Sequence, residues 1–358
     1  MTPPGSAPPE LSHAIDLIEA CYDLDKPQSA WLDALADVGA PLFDHGHGFA
    51  IDEYVVSRSG RLANVSIEVV RKVGLPRDYD ERVAQALAVL PPEMLANINP
   101  PGYAGTWTEM TRNYPVESRR VLETFGYGDL LGILASDPNG IGIRITAPLS
   151  DVVELLPKSR EEWQMLGAHI ASAYRLRRAL ASAKIVGRAA ADRLPHRAEG
   201  VIDPKQFRVV DAIERGRGET ARACLRRGAR WVDRARSIGR QQDPREALRT
   251  WRALVCGRWS LVDWFDTDER RFMLAIPNPP EVRDPRGLSE QECQAVEYAV
   301  RGDSNKIIAY RLGLSQARVS TLLSSAMKKL GVKTRAQLVE KLPPLPMRME
   351  APREPAAG

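Results

Sequence analysis

Within 55 residues near the end of this chain, from Leu288 to Leu342, four helix-start signals alternate with glycine stops. Few structures other than a short helical bundle obey them all. Ser289 and Glu292 form a capping box that opens a first helix, and Gly302 supplies a left-handed stop. Ser304 opens a second helix that Gly313 ends, and Ser315 opens a third that Gly331 closes. Thr334 with Gln337 makes another capping box, and that last helix stops at Pro343-Pro344. Apolar spacing agrees with these brackets: Cys293, Val296, Val300; Ile308, Ala309, Leu312; Val319, Leu322, Leu323, Ala326, Leu330; Leu338, Leu342. A tight turn joins the second helix directly to the third, so the pair reads as a helix-turn-helix.

The third helix has an informative outer face. With Val319 at the centre of the buried stripe, and about 100° of rotation per residue, Ala317, Thr321, Ser324 and Lys328 point outward. Arg318 and Ser325 flank them on one side and Ser320 on the other. Short hydroxyl side chains let a helix approach base edges closely, while Arg and Lys meet phosphate or guanine. Residues 288–342 carry 9 Lys/Arg against 5 Asp/Glu, the positive balance that phosphate contact requires.

The segment resembles the DNA-binding domain of LuxR-type (GerE- or NarL-like) bacterial transcriptional regulators. The matching landmarks are Leu288-Ser289 with Glu292, Gly302, Ser304-Asn305-Lys306 with Ile308-Ala309, Leu312, Leu314-Ser315, Val319, Lys329-Leu330-Gly331-Val332 and Arg335. The resemblance implies that Gln316–Lys328 is a recognition helix for the major groove of double-stranded DNA. It also implies a homodimer formed through the last helix, around Gln337, Leu338 and Lys341. Lys306, Arg318, Lys328 and the helix start at Ser315 and Gln316 are expected at phosphates, with Ser304 and Asn305 beside them. Ala317, Ser320, Thr321 and Ser324 are expected on the groove-facing side. RNA polymerase is a further candidate partner. The family commonly has Thr-Val-Lys-x-His in the recognition helix, where this chain reads Arg318-Val319-Ser320-Thr321-Leu322. That departure puts the operator sequence in doubt. An alternative is an interaction module, in which the bundle pairs with another regulator and reads no DNA. A sigma-factor promoter-recognition domain shares the helix-turn-helix but demands an upstream helical region, and residues 1–278 show strands there instead.

Upstream, residues 11–182 read as α+β. Leu11 to Val38 has helical periodicity, two strands flank a turn at Ser59-Gly60, and short helices follow around Asp80–Leu90 and Val116–Phe125. Asp137-Pro138-Asn139-Gly140 marks a hairpin between Asp129–Leu134 and Gly142–Ile145. A long helix is expected from a capping box at Ser159 and Glu162, with Trp163, Leu166 and Ile170 on one face. Residues 183–278 repeat the α+β theme. Strands Gly200–Asp203 and Phe207–Asp211 precede helices Glu219–Ile238 and Pro244–Leu254, then strands Arg258–Phe265 and Arg270–Ile276. The layouts resemble GAF or PAS sensory domains, which implies an unidentified ligand or protein partner. Proline-rich residues 279–287 form a linker, and residues 1–10 and 343–358 are expected to be disordered. The fold class is therefore multidomain: an α+β GAF/PAS-like sensory region followed by an all-α four-helix LuxR-type helix-turn-helix domain.

Charge divides in the same way. Residues 1–180 hold 16 Lys/Arg against 24 Asp/Glu, while residues 181–258 hold 19 against 9. An acidic front and a basic rear suit either a polyanion at the rear or two halves that dock on each other. Arg222, Arg226, Arg230 and Arg234 recur every fourth residue, either as a docking stripe or as a solvated face relieved by Glu219 and Asp233. No apolar stretch is long enough for a membrane span and no secretory signal is present, so a cytoplasmic protein is expected, nucleoid-associated when on DNA. Cys21, Cys224, Cys256 and Cys293 are scattered with no CxxC pair, so neither a zinc module nor a disulfide framework is expected, which fits a reducing cytoplasm. His45 and His47 lack a third ligand and read as a polar loop. Asp52-Glu53 lacks the context of a phospho-receiver, and Trp31, Trp107 and Trp163 read as core. No catalytic constellation stands out, and no enzyme activity, cofactor or metal is assigned.

Overall fold

The computed structural model describes residues 11–59, 62–91, 94, 98, 100, 102–185, 194–240, 243–280 and 287–342. The expected disordered ends, the turn residue Gly60 and most of the linker lie outside them. The front of the chain opens with a 3₁₀ turn, Leu11–His13, then α1 (Ala14–Cys21) and α2 (Gln28–Phe43). The single helical period expected from Leu11 to Val38 is thus interrupted. Pro27 takes an extended ψ of 157° as the N-cap of α2 and separates the two helices.

Five antiparallel strands follow: β1 (Phe49–Ser59), β2 (Leu62–Val73), β3 (Ala104–Thr106), β4 (Asp129–Ser136) and β5 (Ile141–Leu149), in the order β2-β1-β5-β4-β3. Period-two alternation sends their side chains to two different cores. Ile51, Leu131, Ile133, Ile143 and Ile145 meet α1, α2 and α6 (Pro157–Ile185). Ala50 and Leu130 meet α3 (Tyr79–Ala88) and α5 (Pro115–Phe125) on the opposite face. β4 and β5 join through the expected Asp137–Gly140 hairpin, where Gly140 has a φ of +77° and donates to the Asp137 carbonyl at 2.9 Å. The sequence reading missed β3 and a one-turn helix α4 (Trp107–Met110), which Thr106 and Glu109 cap reciprocally.

Helix α6 begins two residues before the expected Ser159. Pro157 already has the φ that a first helical turn needs and no N–H to satisfy, so the helix starts there. Glu162, freed from capping, is 2% exposed and faces Arg245 and Arg249 at 3.6 Å each. Trp163, Leu166 and Ile170 are buried as expected, as is Trp31.

The middle region forms a second antiparallel sheet from β6 (Gly200–Asp203), β7 (Arg208–Ala212), β8 (Trp259–Phe265) and β9 (Arg271–Pro277), in the order β7-β6-β9-β8. Helix α7 (Glu219–Arg240) packs on it, and α8 (Pro244–Thr250) packs against α7. Trp251 leaves helical geometry at ψ 114°, so α8 ends before the expected Leu254. One apolar core runs from the front sheet through α1, α2 and α6 into this second sheet. Arg236 fastens the halves, reaching Glu19 of α1 at 2.6 Å and Asp263 of β8 at 2.9 Å. The regular stripe leaves Arg230 and Arg234 exposed, and Arg226 pairs with Glu219 at 2.7 Å on its own helix.

One expectation fails outright. Cys224 of α7 and Cys256, 32 residues later, are joined as a disulfide, their Cα atoms 6.5 Å apart. Spacing along the chain could not reveal the pair, because the bend after α8 brings Cys256 back against α7. Cys21 and Cys293 are buried and take no part in this bond.

Candidate nucleic-acid interface

The C-terminal bundle consists of α9 (Glu290–Val300), α10 (Asn305–Leu312), α11 (Gln316–Leu330) and α12 (Arg335–Lys341). Each start is capped as its sequence demands: Ser289, Ser304, Ser315 and Thr334 accept the backbone N–H three residues on. Glu292 and Gln337 return the bond as capping boxes. Gly313 and Gly331 stop α10 and α11 in the left-handed region at φ of +62° and +65°. Gly313 is doubly constrained, because the Leu254 carbonyl lies where a Cβ would project.

The bundle has an apolar core of its own. Val319, Leu322, Leu323, Ala326 and Leu330 of α11 meet Ala295, Val296 and Ala299 of α9, Ile308, Ala309 and Leu312 of α10, and Leu338 of α12. Burying that stripe leaves Ser315, Gln316, Ala317, Arg318, Ser320, Thr321, Ser324 and Lys328 exposed together along the other side of α11. Around this face, Asn305 Nδ2 donates to Ser320 Oγ at 3.1 Å and Arg318 Nη2 to Gln291 Oε1 at 3.1 Å. Thr321 Oγ1 donates back to the Ala317 carbonyl at 3.0 Å, so its methyl group is free to face outward. Arg335 ties three helices, donating to Asn305 Oδ1 and to the Ala299 and Asp303 carbonyls.

Glu292 does more than cap. Its carboxylate accepts from Lys329 Nζ at 2.7 Å, Ser325 Oγ at 2.6 Å and the Ser289 backbone N–H at 2.7 Å. These donors, Lys329 first, hold its pKa at about 2. The start of α9 is thereby pinned to the last turns of α11.

Residues 286–342 match the family model of bacterial regulatory proteins, luxR family. This part of the chain is a LuxR-type helix-turn-helix domain. The family is one of DNA-binding transcription regulators, and the bundle seen here has the helices that such a domain requires. Comparison of the whole chain with curated proteins returns no significant match.

The LuxR-type domain does not stand apart from the rest of the chain. Helix α10 serves two cores at once: Ile308, Ala309 and Leu312 face the bundle, while Ile307 and Tyr310 join the core of the front and middle regions. Tyr310 is fully buried, and its hydroxyl donates to the Leu248 carbonyl at 2.7 Å. The same oxygen lies 2.8 Å from Nε2 of His169, a buried residue of α6. Burial holds the imidazole neutral, with its pKa lowered to about 3. A neutral ring protonated on Nε2 fits these contacts: Nε2–H donates toward Tyr310 Oη and the Trp251 carbonyl, and Nδ1 shares the Tyr22 hydroxyl proton with the Ala253 carbonyl. Further hydrogen bonds run from Arg311 to the Gly102 carbonyl at 3.0 Å, from Arg301 to the Pro138 carbonyl at 2.6 Å, and from Gly257 N–H to the Leu312 carbonyl at 2.5 Å. Arg311 also pairs with Asp303 at 2.8 Å inside the domain.

Two expected site residues have partners that the sequence did not announce. Lys306 pairs with Glu161 of α6 at 2.5 Å. A groove of about 420 Å³ beside this pair is lined by Leu155, Leu156, Arg160, Gln164, Ser304 and Ile307, among others. Leu338, placed by the sequence at a dimer contact, is 1% exposed inside the bundle's own core. Gln337 is exposed but caps its own helix, and Lys341 Nζ donates to the Leu330 carbonyl at 2.5 Å. The large apolar side chain that α12 offers to solvent is Val339, 40% exposed. Elsewhere, Asp52 pairs with Arg144 at 2.5 Å and Glu53 accepts from Gln28 and Tyr174, so both carboxylates are structural. His47 Nε2 lies 2.8 Å from Ser150 Oγ. Among the described residues, no cluster of His, Cys, Asp or Glu is arranged to hold a metal ion, and no helix is long and apolar enough to cross a membrane.

Proposed function

We propose that this chain is a dimeric transcription regulator that reads operator DNA through α11 and is controlled by its N-terminal region. The reading is carried by one observation: α11 buries five apolar residues and, with its N-cap Ser315, exposes a continuous face in which every residue but Ala317 is polar or cationic. In this reading Lys306, Arg318, Lys328 and the start of α11 at Ser315 and Gln316 hold phosphates. Ser304 and Asn305 lie along the same backbone. Ser320, Thr321 and Ser324 touch base edges, and Ala317 packs against a thymine methyl group. Two copies meet through α12 around Val339, with Gln337 and Lys341 at the margin, and RNA polymerase is a partner of the bound dimer. The protein acts in the cytoplasm, on the nucleoid.

Residues 11–182 would form the sensory domain and residues 183–278 the segment that transmits its state, with 279–287 as the linker to 288–342. The Lys306–Glu161 pair supports control by docking, since a phosphate and the Glu161 carboxylate would compete for the same ammonium group. Selection of bound sequences from a random duplex pool, with full-length protein at near-physiological salt, tests the proposal. An enriched two-fold-symmetric site is the expected result. Failure of both the full chain and the isolated 281–345 segment to bind any duplex would replace it with the interaction-module reading.

A further inference from the structure

Part of the hold of the LuxR-type domain on the middle region comes from one short loop. Trp251 to Arg258 connects α8 to β8, and its tip presents backbone groups to two helices of the domain. The Cys256 carbonyl accepts from Gln291 Nε2 at 3.3 Å, and the Gly257 carbonyl accepts from Gln294 Nε2 at 3.2 Å. Gly257 N–H donates to the Leu312 carbonyl, and Arg258 reaches Glu290 at 3.4 Å. This presentation needs two consecutive residues in the left-handed region, Cys256 at φ +53° and Gly257 at +67°. Glycine adopts that conformation freely and cysteine does not. The turn is closed by hydrogen bonds from Arg258 N–H to the Val255 carbonyl at 3.1 Å and from Val255 N–H to the Trp259 carbonyl at 2.7 Å, and the bond to Cys224 on α7 fastens Cys256 from the side.

We propose that Cys224–Cys256 is a thiol–disulfide switch that sets how firmly the LuxR-type domain docks. Both cysteines are half-buried, so solvent and small reagents reach them, whereas Cys21 and Cys293 are enclosed. The guanidinium of Arg227 lies 3.7 Å from Cys224 Sγ, a position that stabilises a thiolate there. The exchange therefore has a direction. A thiolate of a dithiol reductant attacks Cys256 Sγ, the sulfur–sulfur bond breaks, and Cys224 leaves as the stabilised thiolate. The reductant's second thiol then resolves the mixed disulfide. Cys256 is released as a thiol, and the reductant departs as its own disulfide. Oxidation by a small-molecule disulfide reverses the steps: two protein thiols lose two protons and two electrons, and the oxidant becomes two thiols.

The inference rests on the DNA-binding reading only for its consequence. A protein working beside DNA sits where thiols are kept reduced, and disulfides in such places are transient and responsive. With the bond formed, the loop is fixed and the domain stays docked, with Lys306 engaged by Glu161. With the bond reduced, the turn keeps only its backbone hydrogen bonds, Cys256 is free to leave its left-handed conformation, and the loosened loop releases the domain toward DNA.

The test uses the full chain equilibrated in glutathione buffers from fully oxidised to fully reduced. Alkylation with mass spectrometry reports the bond, and amide hydrogen exchange of peptides spanning 254–258 and 305–312 reports docking. The expected result is a Cys224–Cys256-linked peptide in oxidised protein that disappears on reduction, with exchange in both peptides rising at least fivefold. Cys224→Ser should show the fast exchange in every buffer. Absence of the linked peptide at every ratio, or exchange in 305–312 identical in both states, overturns the switch. Duplex binding, measured separately on the same samples, judges the DNA-binding reading: a switch seen in exchange without any duplex binding leaves the switch standing and removes only that reading.

Discussion

Replacing Tyr310 with phenylalanine isolates the docking of the LuxR-type domain from its folding. The ring belongs to the core of the front and middle regions, while the residues that hold the bundle together lie on the other face of α10. Phenylalanine keeps that ring and its burial. What disappears is the hydroxyl donor to Leu248 and one of two acceptors for His169 Nε2–H. His169 retains the Trp251 carbonyl at 3.1 Å, so the Leu248 carbonyl is the group stranded in a fully buried site. One stranded buried acceptor costs about 1–3 kcal/mol. That is roughly a 5- to 150-fold shift of the docked–undocked equilibrium toward the undocked state, at about 1.4 kcal/mol per factor of ten.

Amide exchange of the 305–312 peptide in Tyr310→Phe should rise by a factor in that range. Duplex affinity should tighten by no more than the same factor, because docking can withhold only the population it captures. The bundle itself should be spared, and a peptide from α11 should keep its parental protection. Exchange in 305–312 unchanged from the parent would refute the argument. So would equal loosening of α10 and α11, which would mean that Tyr310 holds the bundle's fold and not its seat.

Three further substitutions address other contacts. Lys328→Ala should weaken binding to all duplexes alike and reduce the slope of log K against log salt by about 0.9; an unchanged slope measured by fluorescence anisotropy removes Lys328 from the phosphate contacts. Glu161→Gln breaks a partly exposed pair with Lys306, worth about 0–1 kcal/mol, so duplex affinity at low salt should rise by up to about fivefold; weaker binding would show that Glu161 does not compete with phosphate. Glu292 has a folded-state pKa depressed to about 2, so its stabilising contribution is complete above its unfolded pKa, near 4.3, and is lost as pH falls toward 2. Glu292→Gln should therefore lower the thermal midpoint at pH 7 and converge on the parent near pH 2; a constant gap at all pH values would contradict the pairing with Lys329 and Ser325.

The C-terminal bundle was legible because its instructions are local. Ser289, Ser304, Ser315 and Thr334 act on backbone groups within three residues, and Gly313 and Gly331 answer to their own φ. The exposed face of α11 followed from one helical period anchored at Val319. What remained hidden depends on partners far away in the chain. Tyr310 meets Leu248 and His169, Lys306 meets Glu161, and Cys256 meets Cys224. One clue was present: Ile307 and Tyr310 are large apolar residues on α10 opposite its Ile308, Ala309 and Leu312 stripe. A helix apolar on two sides must be covered on both. Leu338 was misplaced for a related reason. An apolar residue on a terminal helix serves a neighbouring copy or its own bundle, and the pattern along α12 does not distinguish Leu338 from Val339.

The chemistry of the docked surface bears on whether control by release is feasible. A LuxR-type segment of this size buries a small core, so any cover it gains adds stability. If that cover were mainly apolar, release would expose a sticky surface and the domain would not come free intact. Here it is mixed: Ile307 and Tyr310 supply the apolar part, hydrogen bonds reach the backbone carbonyls of Gly102, Pro138, Leu248, Cys256 and Gly257, and Lys306 and Glu290 form ion pairs. Water replaces such bonds on opening, so each contributes only about 0.5–1.5 kcal/mol net. A polar interface of this kind is typical of domains that separate while staying folded. The bonds to Cys256 and Gly257 are directional, so they fail together when the loop changes shape. A seat built in this way can be tight while its loop is fixed and open when the loop relaxes, without cost to the bundle that carries the exposed face of α11.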